Sequence, residues 1–155
     1  MSPKPETEST NVSVASFTRG AVGGPRVTLR LEAAAALAAT IALYVHTGAG
    51  VGMFLALFLI PDLSMLGYLV GNRVGAASYN VAHSYLGPLA LAAVGMALPS
   101  LLPFAVIWAA HVAFDRMLGY GLKYATAFGD THLGRTGRAA AEKDRVGLQT
   151  DYAAS

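Results

Sequence analysis

The chain has 155 residues, of which 54% are hydrophobic and only 13% charged, against roughly 25% charged in soluble domains. Its formal charge of +2 is small, and it has no cysteine, which excludes disulfides, thiolate ligands and thiol nucleophiles. The length suits one domain, and the composition points to a membrane protein rather than a soluble enzyme or a nucleic-acid binder.

Residues 1–26 are polar, rich in Ser, Thr, Pro and Gly, and predicted to be a disordered tail. They contain no apolar core or cleavage site, so no cleavable leader is expected. Residues 30–46 (RLEAAAALAATIALYVH) form the first apolar helix. Ala35/Ala39 and Ala36/Thr40 are small pairs that let helices approach closely in lipid. Residues 51–70 (VGMFLALFLIPDLSMLGYLV) are long enough to cross about 30 Å of hydrocarbon. Pro61 predicts a kink beside Asp62 in that helix. Residues 74–97 form the third helix, with Asn80 and His83 three apart and Pro88 predicted to kink it further along. Residues 101–120 form the fourth, with Pro103 in its first turn. His111 and Asp115 in that helix are four apart and share a face. The expected organisation is a tail (1–26), a four-helix transmembrane domain (27–122) and a polar tail (123–155).

Every Lys and Arg lies in the N-terminal region, the turn at Arg73, or the chain from Arg116 onward. The turns at residues 47–50 and 98–100 carry no charge at all. This bias predicts a multi-pass membrane protein with both termini in the cytoplasm. The basic residues are thus a topology signal, and nucleic-acid binding is not indicated.

Counted inward at about 1.5 Å per residue, Asp62 lies about 12 Å deep, Asn80 about 10 Å and Asp115 about 9 Å, while His83 and His111 both lie about 15 Å deep. Glu32 is about one turn in. Ionisable groups cost at least ~2.5 kcal/mol each in hydrocarbon and normally face the bundle interior. Their convergence is therefore expected. Imidazole and carboxylate together suit zinc, iron or manganese. His83, His111 and Asp115 are the candidate metal ligands, and Glu32 and Asp62 the candidate catalytic carboxylates. Asn80, Arg116, Tyr120, Lys123 and His132 are candidate substrate-binding residues.

Each residue also has a structural reading. His111 and Asp115 can satisfy each other, Asp62 can bond backbone freed by Pro61, and Asn80 and His83 can join helices. Glu32 can pair with Arg30 or Arg73. Arg116, Tyr120 and Lys123 suit the interface, and His132 suits an ordinary loop.

The motifs PDLSMLGY (61–68), Asn80 with His83, HVAFDRMLGYGLKY (111–124) and DTHLG (130–134) together resemble the bacterial integral-membrane domain of unknown function family 4260 (DUF4260). The resemblance covers residues 29–134. It implies a multi-span all-α membrane protein and supplies no activity. A looser likeness, in pattern only, is to small membrane metal-dependent hydrolases. Two functions are expected to compete. One is a metal-dependent hydrolase acting on a lipid or amphiphile from the cytoplasmic leaflet. The other is a non-enzymatic protein, either a proton-coupled carrier subunit or a helix-packing scaffold, that forms homo-oligomers through its small-residue faces.

Overall fold

The computed structural model describes residues 21, 23–126 and 128–136. Nearly all of the first tail and most of the last lie outside the described residues.

Helix α1 (Gly23–His46) leads through a tight turn to α2 (Val51–Phe58) and then a 3-10 helix (Ile60–Leu69). Helices α3 (Asn72–Ala82), α4 (Leu86–Gly95) and α5 (Leu102–Leu118) come next. Beyond them lies a two-residue-per-strand antiparallel pair, β1 (Asp130–Thr131) and β2 (Gly134–Arg135). Among the described residues, three segments are long and apolar enough to cross a membrane: Gly23–His46, Val51–Leu69 and Pro99–Leu118. Leu31, Val45, Leu55, Leu69, Leu86 and Met96 are each more than half exposed. An outer surface of that kind suits hydrocarbon rather than water.

Pro61 and Pro88 set breaks one turn upstream of themselves. Proline lacks the N–H that would bond the carbonyl four residues back, and its ring clashes with that carbonyl. Pro61 therefore disrupts the turn at Leu57, and α2 stops at Phe58. Instead of a kinked α-helix, the segment continues as ten residues of 3-10 helix. At about 2.0 Å rise per residue this keeps the segment long, and its three-fold repeat stacks Asp62, Met65 and Tyr68 in one row. Pro88 likewise disrupts the turn at Ser84. The break at residues 83–85 thus lies earlier than the predicted kink, and Pro88 itself sits buried in the first turn of α4.

A broken helix in an apolar setting leaves carbonyls without partners, and α5 supplies them. The Trp108 indole Nε1–H donates to the Ala82 carbonyl at 2.6 Å. The Arg116 guanidinium donates to the His83 carbonyl at 2.9 Å. Helix α5 is the central element, packing against α1, α2 and α4. It ends at Gly119, whose φ of 97° is the left-handed conformation that caps helices.

The 3-10 helix packs on α3 through glycines. A Cβ on Gly75 would collide with the Tyr68 ring, and one on Gly67 with the Ser78 side chain. Ser78 donates to the Ser64 carbonyl across the same contact at 2.8 Å. Gly75→Ala is therefore expected to lower stability by about 1–3 kcal/mol, the usual range for overpacking. A melting temperature in detergent equal to that of the parent would show that the Tyr68 ring moves aside freely.

The start of α1 and the end of α5 lie together. Arg30 Nε donates to the Met117 carbonyl at 2.8 Å, and the Ala21 amide to the His132 carbonyl at 2.8 Å. The described part of the C-terminal region folds back onto this end of the bundle. Asn80 clamps it, donating to the Lys123 carbonyl at 2.9 Å and accepting from the Lys123 amide at 2.7 Å. Thr131 and Leu133 are buried there.

Candidate metal centre

Three elements bring four side chains together. Asp62 comes from the first turn of the 3-10 helix, His83 from the broken end of α3, and His111 and Asp115 from one face of α5. One ligand atom of each lies within 4.8 Å of all the others. His83 Nε2 is 3.1 Å from His111 Nε2, 3.3 Å from Asp62 Oδ1 and 3.5 Å from Asp115 Oδ2. His111 Nε2 is 3.6 Å from Asp62 Oδ1.

These separations have a simple geometric meaning. Bonds of about 2.0–2.2 Å to a tetrahedral ion place ligand atoms about 3.3 Å apart. Four of the six edges here fall between 3.1 and 3.6 Å.

A surrounding hydrogen bond sets the tautomer of His83, whereas His111 Nδ1 is buried with no hydrogen-bond partner among the described residues. His83 Nδ1 lies 3.0 Å from the Tyr79 carbonyl, which can only accept. The hydrogen-bond network therefore assigns the ring proton to Nδ1, leaving Nε2 as a lone pair aimed into the cluster. Asp115 Oδ2 accepts from the Tyr79 hydroxyl at 3.0 Å. Tyr79 thus orients two of the four side chains at once, and its ring stacks on His83 at 3.7 Å between centroids. Outer-shell orientation of this kind is typical of metal sites. Phe58 covers the opposite histidine, edge-on to His111 at 5.3 Å. Acceptor atoms converging in a buried space repel one another unless a cation or a proton sits among them.

His111 and Asp115 do not pair with each other. Each reaches across to another helix instead, His111 to His83 and Asp62, and Asp115 to Tyr79 and His83. His83 and His111 are both 1% exposed. Asp62 is the most accessible ligand, with 34% of its side chain exposed, against 14% for Asp115.

The remaining candidates lie elsewhere. Glu32 is exposed on α1 and lines a separate cavity with Arg116 and His132. Among the described residues it forms no ion pair, with Arg30, Arg73 or any other cation. Asn80 is spent on the Lys123 backbone. Tyr120 is exposed, and its carbonyl accepts from Arg116 at 3.2 Å. The Lys123 ammonium is buried beneath Phe128, 3.1 Å from the ring centroid, and 4.7 Å from that of Tyr79. Burial pushes its pKa down to about 8, while the Asp115 and Asp62 carboxylates oppose the shift. His132 accepts from the Leu122 amide at Nδ1, at 2.7 Å. Burial and the nearby Arg116 charge lower its pKa.

Tyr79 and Trp108 are the functional residues that pattern reading passed over. Tyr79 precedes His83 by four residues and so shares its helix face, which was the available signal. Trp108 left none, because its partner is a carbonyl freed by a break.

No curated protein and no solved structure matches the chain. A family model described as a domain of unknown function, DUF4260, matches residues 26–136. That span takes in all three helical elements of the cluster, its covering aromatics and the clamped C-terminal segment, and the chain belongs to this family.

Proposed function

We propose that the chain is a four-span protein of the bacterial cytoplasmic membrane that holds one divalent metal ion and uses it to hydrolyse a lipid or amphiphile. In this reading α3 and α4 cross as one broken span, and both termini are cytoplasmic, as the charge bias favours. One observation carries the metal reading: two imidazoles and two carboxylates converge in an apolar bundle, with four of their six separations near tetrahedral edge lengths.

A divalent ion there would lower the pKa of bound water towards neutrality. His83, His111 and Asp115 would hold it and leave the fourth position to that water. Asp62, the most exposed of the four, would take the water's proton and return it to the leaving group. An apolar cavity of about 320 Å³ adjoins the centre, lined in part by Pro61, Ala82, Phe104, Ile107 and Trp108. Pro61 and Ala82 are chain neighbours of Asp62 and His83. Phe104, Ile107 and Trp108 precede His111 by seven, four and three residues, so they continue its face of α5. An acyl chain lying in this cavity would present its polar end to Asp62.

The first measurement is metal content after purification in detergent, by elemental mass spectrometry. About one equivalent of zinc, iron or manganese per chain is expected, together with hydrolysis of an acyl ester that a chelator abolishes. A metal-free protein whose melting temperature no divalent ion raises would sink the metal reading. It would favour the alternative, in which the 3.1 Å imidazole pair shares a proton and the chain is a carrier subunit or scaffold.

A further inference from the structure

A second cavity, of about 290 Å³, opens between α1, α5 and the C-terminal clamp. Its polar wall is Glu32, Tyr85, Arg116 and His132, and Leu29 and Leu133 are among its apolar lining. It lies at the end of the bundle where α1 begins and α5 finishes, the end that carries the basic residues.

The charges in this cavity are of both signs and do not neutralise each other directly. Arg116 spends one N–H on the His83 carbonyl and one on the Tyr120 carbonyl. Three of its five donors remain. His132 accepts at Nδ1, so its neutral ring carries its proton on Nε2 as a further donor. Glu32 has no cationic partner within ion-pairing distance among the described residues. A simple anion would gain from Arg116 but meet the Glu32 carboxylate. A simple cation would meet the reverse. A ligand bearing both charges satisfies both walls.

We propose that this cavity binds a phosphate ester carrying a primary ammonium, the headgroup chemistry of an ethanolamine phospholipid. The phosphate takes the free donors of Arg116 and His132, and the ammonium donates to Glu32. Leu29 and Leu133 receive the first carbons beyond the headgroup. A quaternary ammonium has no N–H to give Glu32, so choline lipids lose that bond.

The test is lipid retention, into which the metal centre does not enter. The full chain is reconstituted in nanodiscs of equimolar phosphatidylcholine, phosphatidylethanolamine and phosphatidylglycerol, then extracted into detergent. Retained lipid is measured by mass spectrometry. The ethanolamine lipid is expected to be enriched about tenfold over the choline lipid, the value of one charge-assisted hydrogen bond. Glu32→Gln, at an exposed position, is expected to weaken that preference, because the amide oxygen still accepts an N–H but carries no charge, and chelator treatment is expected to leave it intact. A parallel titration with soluble phosphoethanolamine identifies the source. Displacement of the lipid supports a site for the headgroup alone, and failure to displace supports a site for the whole lipid. Equal retention of choline and ethanolamine lipids, preference for the glycerol lipid, or an unchanged preference in Glu32→Gln would each overturn the proposal.

Discussion

His111→Ala is expected to empty the metal centre while leaving the helices in place. His111 supplies one of four ligand atoms, and its Nε2 lies within 3.6 Å of both His83 and Asp62. Losing an outer-shell partner costs metal sites about 10–100-fold in affinity, so losing a ligand should cost at least about 100-fold. Bound metal should fall from about one equivalent to background. The substitution also leaves a buried cavity, because His111 is 1% exposed, and that alone lowers stability somewhat. A chelator separates the two effects. A metal present at about 100 times its Kd adds about 2.7 kcal/mol of stability. Chelation should therefore lower the melting temperature of the parent protein and leave that of His111→Ala unchanged. Tyr79→Phe should fall between them, keeping the ring stacked on His83 but losing the hydroxyl bond to Asp115, with metal bound about 10–100-fold more weakly. Wild-type metal content in His111→Ala, or a parent melting temperature indifferent to chelator, would refute the assignment of His111 as a ligand.

The four residues of the centre were legible because depth and cost are both written in the sequence. Asp62, His83, His111 and Asp115 sit at similar distances from the charged end, and none could face lipid cheaply. Glu32 shows the limit of that reasoning. Depth does not specify rotation about a helix axis, and a single acidic residue on α1 defines no face. It turned to the second cavity instead. The breaks were harder to place. Pro61 and Pro88 announced disruption, but proline acts on the carbonyl four residues back, so the consequences fall at Phe58 and at residues 83–85. The length of the 3-10 helix has no signature beyond Pro61 itself. The Asn80 clamp was illegible for another reason. Its partners are the backbone amide and carbonyl of Lys123, which are common to nearly every residue, so no side-chain pattern marks them.

Arg116→Met is expected to injure both the fold and the metal centre from one position. The guanidinium donates to the His83 carbonyl at 2.9 Å, in the stretch where α3 ends and no helical amide covers that oxygen. Methionine keeps the length and apolar stem of the side chain but leaves the carbonyl without a partner. An orphaned buried carbonyl costs about 1–3 kcal/mol, and more where lipid rather than water surrounds the helices. The same carbonyl belongs to the residue whose imidazole is a proposed ligand, so the loss of its partner would free His83 to rotate with the broken helix end. Metal affinity should fall about 10–100-fold, as for other outer-shell partners, together with a lower melting temperature that persists in chelator. Arg116→Lys should recover only part of either loss. An ammonium lacks the planar fork that lets arginine reach the His83 and Tyr120 carbonyls together. Trp108 is the internal comparison, because its indole covers the adjacent Ala82 carbonyl. Trp108→Phe should therefore also destabilise the break, but it leaves the His83 carbonyl paired and should disturb metal affinity less. If Arg116→Met bound metal as tightly as the parent protein while melting earlier, Arg116 would serve the helix break alone. If it did neither, the broken span would be held by packing, and the Arg116 bond to His83 would be incidental.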